Sequence, residues 1–202
     1  EEKNKQSIRS RFNIKQDEYL LLYTRGFVMN SNYHKILNAL SYIRKDLSYK
    51  VIFHHFKKNQ KIDKYLNQLI DNYELKEKVF ISHSELSDEE IKALYELADL
   101  TFSVTEKEQF SRTIHEAILS DTHIILNDIE PYRYLKYFFN WNVDLVNVND
   151  AAQMGNRIQY YITQKPETDW EYEKIFIEKI FKFEDKEELF KSVYQDLMDE
   201  KL

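Results

Sequence analysis

Cysteine is absent from the 202 residues, which removes disulfides, thiolate catalysis and Cys-ligated zinc or iron–sulfur sites together. Its absence is compatible with a reducing cytosol. Glycine and proline are nearly missing too, with Gly26, Gly155, Pro131 and Pro166 their only representatives. So few glycines leave no Walker loop, no G-x-G-x-x-G fingerprint and no G-x-S-x-G elbow, which argues against P-loop, dinucleotide-binding and α/β-hydrolase chemistry. Positive charge is in deficit: 29 Lys and Arg face 35 Asp and Glu, for a net charge of -6. No broad cationic face is available to release counterions from a phosphate backbone, so nucleic acid is not an expected partner. Long apolar runs are also lacking. The longest, around residues 19–23, falls far short of the roughly 20 residues that span a bilayer, and nothing near the N-terminus reads as a signal peptide. A cytoplasmic location is expected. The chain opens on Glu1 without a methionine, and a fragment of a longer polypeptide is expected.

What is present is the composition of a packed globular protein, 43% hydrophobic, 15% aromatic and 32% charged, which excludes a disordered or collagen-like chain. Short β-type runs occur at 19–23, 49–54, 79–82, 100–104, 123–126 and 144–148. Between them lie amphipathic stretches at 33–43, 62–73, 88–97, 110–119 and 132–139, with apolar residues three and four apart. Strand and helix alternate. The run at 19–23, Tyr-Leu-Leu-Leu-Tyr, suits a strand covered on both faces, and hence a mostly parallel sheet with right-handed crossovers. The pattern predicts an α/β fold, a Rossmann-like doubly wound parallel sheet of about six strands closed by C-terminal helices at 151–163, 170–181 and 186–197, all one domain over 1–202. Ser87 followed three residues later by Glu90 predicts a capping box at a helix starting with Asp88. Ligands of such sheets lie outside the carboxyl ends of the strands, so the loops after Tyr23, His54, Ser82, Val104 and Leu126 are where chemistry is expected.

The loop after the fourth strand is the richest, running from Glu106 through Glu108, Phe110, Ser111, Arg112, Thr113 and His115 to Glu116. If a helix begins near Phe110, Glu116 lies about two turns in, roughly 12 Å beyond Glu108 at about 1.5 Å per residue. That span matches a nucleoside diphosphate sugar. One carboxylate would accept from sugar hydroxyls and the other from ribose hydroxyls, with the diphosphate between them on backbone N–H groups at the helix start. Arg25 and Arg112 are the natural cations for the phosphates. A solvated helix edge is the plain alternative for the two glutamates. Six histidines raise the question of a metal, but His54 and His55 are adjacent in a strand and no His or carboxylate cluster has metal-ligand spacing, so no metal is expected. His115 reads as a packing residue, with a pocket edge as the alternative. The aromatic run from Pro131 to Trp141 reads as a core-facing helix, with a membrane-interface or partner surface as the alternative. Lys57, Lys58, Lys61 and Lys64 read as a solvated face.

Several segments, taken in order, resemble the donor-binding half of family 4 glycosyltransferases of GT-B architecture. Ile8-Arg-Ser-Arg-Phe-Asn-Ile14 is similar to the family's lead-in segment. Leu22-Tyr-Thr-Arg25 resembles its first strand, which ends in Gly-Arg, with Thr24 in the glycine's place. Lys78 to Ile81, then Leu86 to Asp99, resemble its third strand and the following helix. Glu108 to Glu116 resembles its Glu-x7-Glu motif, and Ile124 to Asp128 the next strand. The tail from Phe181 through Val193 and Tyr194 is similar to its closing helices.

The resemblance implies a hexosyltransferase-type, retaining enzyme of polysaccharide biosynthesis that takes a nucleotide sugar and transfers the sugar to a glycan or lipid-linked acceptor. The acceptor would be bound by an N-terminal domain not included here, and the full protein would attach peripherally at the inner face of the membrane. Arg25 and Glu108 are implied as catalytic, on the diphosphate and on the donor sugar. Phe110, Ser111, Arg112, Thr113 and Glu116 are implied as donor-binding, with Glu116 on the ribose. No cofactor and no metal are implied. The sequence departs from the pattern at Ser31, where a lysine is usual, and at Asn32, where glycine is common. It also departs at residues 54–58, which replace a glycine-rich turn, and at Ser111, which replaces a glycine and narrows the pocket. Lys35 is the nearest substitute for the lysine. The departures support a second reading, a catalytically silent module of the same fold that serves as a partner-binding subunit. An unrelated flavodoxin-like domain is the fallback, to be recognised by its strand order.

Overall fold

The computed structural model describes residues 2–55, 57–108 and 111–181. The chain divides into two compact units, residues 1–169 and 170–202. In the first, β1 (Tyr19–Tyr23), β2 (Tyr49–His54), β3 (Val79–Ser82), β4 (Leu100–Ser103), β5 (His123–Asn127) and β6 (Asp144–Val146) form one sheet. Its order is β3-β2-β1-β4-β5-β6, and every neighbouring pair is parallel. This is the doubly wound Rossmann order, and it excludes the flavodoxin-like alternative. Every residue of β1, β2 and β4 is buried, as expected of strands covered on both faces. Leu20, Leu21 and Leu22 are at most 1% exposed, and burying each such side chain contributes about 1.5–3 kcal/mol.

The helices are α1 (Glu2–Arg11), α2 (Tyr33–Leu40), α3 (Gln60–Asn72), α4 (Asp88–Leu97), α5 (Arg112–Leu119), α6 (Glu130–Arg133) and α7 (Ala151–Gln164). Helix α8 (Glu171–Phe181) belongs to the second unit. The capping box at α4 forms as predicted, with Ser87 accepting from the Glu90 N–H and the Glu90 carboxylate accepting from the Ser87 N–H. Asn59 and Asp150 cap α3 and α7 through their side chains alone, accepting from backbone N–H groups of the first turn. Gly155 sets how closely α7 lies on α2, because a Cβ there would sit 2.5 Å from the Ala39 carbonyl oxygen.

Four expectations need correction. Residues 2–11 form a helix that alternation did not announce, because Ile8 is its only buried residue and the rest is charged or polar. Helix α5 starts at Arg112 rather than near 110. Glu116 is therefore four residues into it, a rise of about 6 Å, and the two-turn spacing from Glu108 does not hold. The fourth and sixth strands end earlier, at Ser103 and Val146. The aromatic run after Pro131 is split: Tyr132, Leu135 and Trp141 are buried, whereas Tyr134, Tyr137 and Phe138 are exposed on a π-helical turn spanning Tyr134–Phe138. The predicted helix at 186–197 and the tail through Tyr194 lie outside the described residues. Among the described residues no helix is long and apolar enough to cross a membrane.

Candidate functional site

Strand β1 pairs with β2 on one side and β4 on the other, so the chain reverses its winding between β1 and β4 and opens a crevice at their carboxyl ends. The loops after these two strands are sewn together. Asn32 donates from Nδ2 to the Val104 carbonyl at 2.7 Å, and the Glu106 N–H donates to the Asn30 carbonyl at 2.9 Å. Asn32 has a left-handed backbone, φ 58° and ψ 22°, which Asn tolerates better than most residues; the turn therefore survives without the glycine expected there. On the far side of the β4 loop, Asn127 donates to the Thr105 carbonyl at 2.8 Å.

Across this frame Arg25 extends from the end of β1 to the β4 loop. Its Nη1 lies 2.5 Å from the Glu108 carboxylate and donates to the Ser111 hydroxyl at 2.6 Å. The pair is largely shielded, with the two side chains 24% and 14% exposed. Ser111 occupies the N-cap of α5, but its hydroxyl serves Arg25 and makes no cap hydrogen bond to the helix. Beneath Glu108 lies Tyr132, whose hydroxyl shares a 2.9 Å hydrogen bond with Ser103. Burial raises the phenol's pKa, and the neighbouring Glu108 charge adds to the effect.

Glu116 is held at the other end of the site. The Arg112 guanidinium meets its carboxylate at 3.3 Å, one turn apart on α5, with the arginine side chain 90% exposed. On the buried side stands Tyr95 of α4, whose phenol pKa is raised by burial and further by the Glu116 charge. The Tyr95 hydroxyl lies 2.6 Å from the Thr24 hydroxyl.

The structure thus brings Arg25, Glu108 and Ser111 into one cluster and places Glu116, Arg112 and Thr113 in a second. Thr113 is 6% exposed. Phe110 lies outside the described residues. Lys35 is engaged at the crevice edge, donating to Asn149 at 2.8 Å and lying 3.6 Å from the Glu106 carboxylate. Ser31 is buried, and its carbonyl accepts from the Tyr23 hydroxyl at 3.4 Å.

Sequence reasoning missed Tyr95, Thr24 and Tyr132 as parts of the site. The first and last look like ordinary core aromatics, and only their hydroxyl partners distinguish them. His115 is 7% exposed and packs inward, with its pKa lowered by burial to about 4. Among the described residues no group of His, Asp and Glu is gathered to hold a metal ion. The four lysines from Lys57 to Lys64 are exposed.

Solved structures with this fold include the Anabaena protein Alr3699/HepE in complex with UDP and glucose, at a TM-score of 0.79 and 17% identity over 97% of this chain and 53% of that one. Another is the sucrose-phosphate synthase of Thermosynechococcus elongatus, at 0.75 and 18% over 97% and 49%. A third is a glycosyltransferase from Rickettsia africae, at 0.67 and 20% over 78% and 41%. At these identities the likeness establishes the fold, that of the Rossmann-like domains of GT-B glycosyltransferases. The chain spans about half the length of the first two structures. No curated protein sequence matches it. The family model described as "Glycosyl transferases group 1" matches residues 4–182, which is most of the sequence, and the chain belongs to that family.

Proposed function

We propose that the chain is the donor-binding half of a retaining glycosyltransferase, which takes a nucleoside diphosphate sugar and passes the sugar to a glycan or lipid-linked acceptor held by a second domain. The observation that carries this is Arg25, which crosses the switch-point crevice to meet both Glu108 and Ser111. A guanidinium in that position can grip diphosphate oxygens bidentately and stabilise the charge that develops on the leaving group. Glu108 beside it would accept from hydroxyls of the transferred sugar. Glu116, one turn into α5, would accept from the ribose, and the N-terminal amides of α5 would face the phosphates. The Anabaena structures, solved with UDP or UDP-glucose, support a UDP sugar as the first donor to try.

Calorimetric titration of the 202-residue chain with UDP, GDP, ADP, CDP and their glucose conjugates tests the proposal. Binding of at least one nucleotide is expected, with Glu116→Ala weakening it about tenfold or more. A folded chain that binds none of them at millimolar concentration overturns the donor-site reading.

The partner-binding alternative is favoured by one observation, the replacement of a lysine by Ser31 while Lys35 is committed to Asn149 and Glu106. On that reading Glu116→Ala leaves every ligand measurement unchanged.

A further inference from the structure

Arg25 reaches the crevice with its charge already answered. Its Nη1 lies 2.5 Å from the Glu108 carboxylate and donates to the Ser111 hydroxyl at 2.6 Å, so a single nitrogen meets both partners. The two charged side chains are largely shielded, and a pair shielded in this way interacts more strongly than one in open water. An ionised diphosphate gripped by Arg25 therefore brings its negative charges to a place where a carboxylate already stands, and like charges so close repel. Glu108 cannot simply withdraw, because a carboxylate shielded from water needs a donor in place of the guanidinium. The two parts of a nucleotide sugar differ in what they offer it. Ionised phosphate oxygens only accept, whereas sugar hydroxyls also donate and can satisfy a carboxylate.

We propose that Glu108 competes with the diphosphate for Arg25 and that sugar hydroxyls relieve the competition, so the site retains a nucleotide sugar and lets go of a nucleoside diphosphate. The inference rests on the donor-site reading above and deepens it by giving that site its regulation. When the sugar is present, Glu108 exchanges the guanidinium for hydroxyl donors and Arg25 turns to the phosphates. The Ser111 hydroxyl can stay on Nη1 through the exchange and holds the guanidinium in place. With the sugar gone the carboxylate has no other donor of that kind, returns to Arg25, and loosens the nucleoside diphosphate. One ion pair thus distinguishes the substrate from what remains of it.

The test is calorimetric, with whichever of UDP, GDP, ADP or CDP binds the native chain best and with the glucose conjugate of that nucleotide. Glu108→Gln keeps the size of the side chain and removes its charge. It is expected to tighten the nucleoside diphosphate about five- to tenfold and the conjugate by less than about twofold, since the amide is also a poorer acceptor for sugar hydroxyls. Glu108→Ala is expected to tighten the nucleoside diphosphate about threefold or more, and it provides the test should the glutamine variant fail to fold. Glu130→Gln makes the same change of charge at an exposed position after the carboxyl end of β5 and is expected to alter either affinity by less than about twofold. An unchanged or weakened nucleoside diphosphate affinity in a folded Glu108 variant overturns the inference. So does an equal gain for the conjugate, or an equal gain from Glu130→Gln. Each of these results is read on a chain that binds nucleotide; a native chain that binds none strikes the donor-site reading itself, and the inference goes with it.

Discussion

At the residue scale the Arg25–Glu108 pair decides most of the electrostatics of the crevice. Both side chains are more than three-quarters shielded, so deleting the cation strands a carboxylate where water solvates it poorly. Arg25→Ala is expected to destabilise the chain by about 1–2 kcal/mol in urea titrations, and adding Glu108→Gln to recover most of that loss. Arg25→Lys is expected to keep the stability but not the nucleotide affinity, because an ammonium cannot form the planar fork that grips two phosphate oxygens. Arg25, Glu108 and Glu116 were named from the sequence, and the structure joins Arg25 to Glu108 but sets Glu116 apart with Arg112 on α5, without the two-turn spacing expected. Tyr95 was not, since a tyrosine three residues before Ala98 reads as core until its hydroxyl is seen 2.6 Å from that of Thr24. Asn32 was legible only as a missing glycine, and its left-handed backbone explains how the turn tolerates the change.

At the element scale the alternation of strands and helices was plain, because apolar runs such as Tyr19–Tyr23 cannot be anything but buried strands. What the pattern hid were elements with weak periodicity. Helix α1 buries one side chain, and the π-helical turn at Tyr134–Phe138 displaces the aromatic stripe so that half of it faces solvent. The start of α5 was misplaced because Ser111, the natural capping residue, is held by Arg25 and signals no clear boundary. The contact between α2 and α7 makes a sharp prediction. Alanine normally favours a helix interior over glycine by about 1 kcal/mol. At Gly155, however, its Cβ would lie 2.5 Å from the Ala39 carbonyl and 2.9 Å from the Tyr42 Cβ, and backbone cannot yield cheaply. Gly155→Ala is therefore expected to lower stability by about 2 kcal/mol, read as a reduced urea midpoint at unchanged slope.

At the scale of the whole molecule, two buried histidines link the fold to pH. Burial holds His54 and His115 at pKa values of about 4, with His55, His83 and Arg11 adding to the effect on His54. In the unfolded chain each returns to about 6.5, so between about pH 6.5 and pH 4 the unfolded state binds protons that the fold refuses. Their stabilising contribution is complete above that window and drains away as pH falls through it, by up to about 3 kcal/mol for each group. The melting temperature is expected to drop steadily from pH 7 to pH 4.5, and His115→Gln to flatten that slope. The charges around the crevice carry a different consequence. Arg25, Lys35 and Arg112 each stand against a glutamate, on a chain whose net charge is -6. An anionic nucleotide diffusing in therefore feels no long-range pull, and capture depends on collision rather than steering. Stopped-flow association rates should therefore not fall as salt is added, and should rise where screening relieves the repulsion between the anionic nucleotide and the net negative chain.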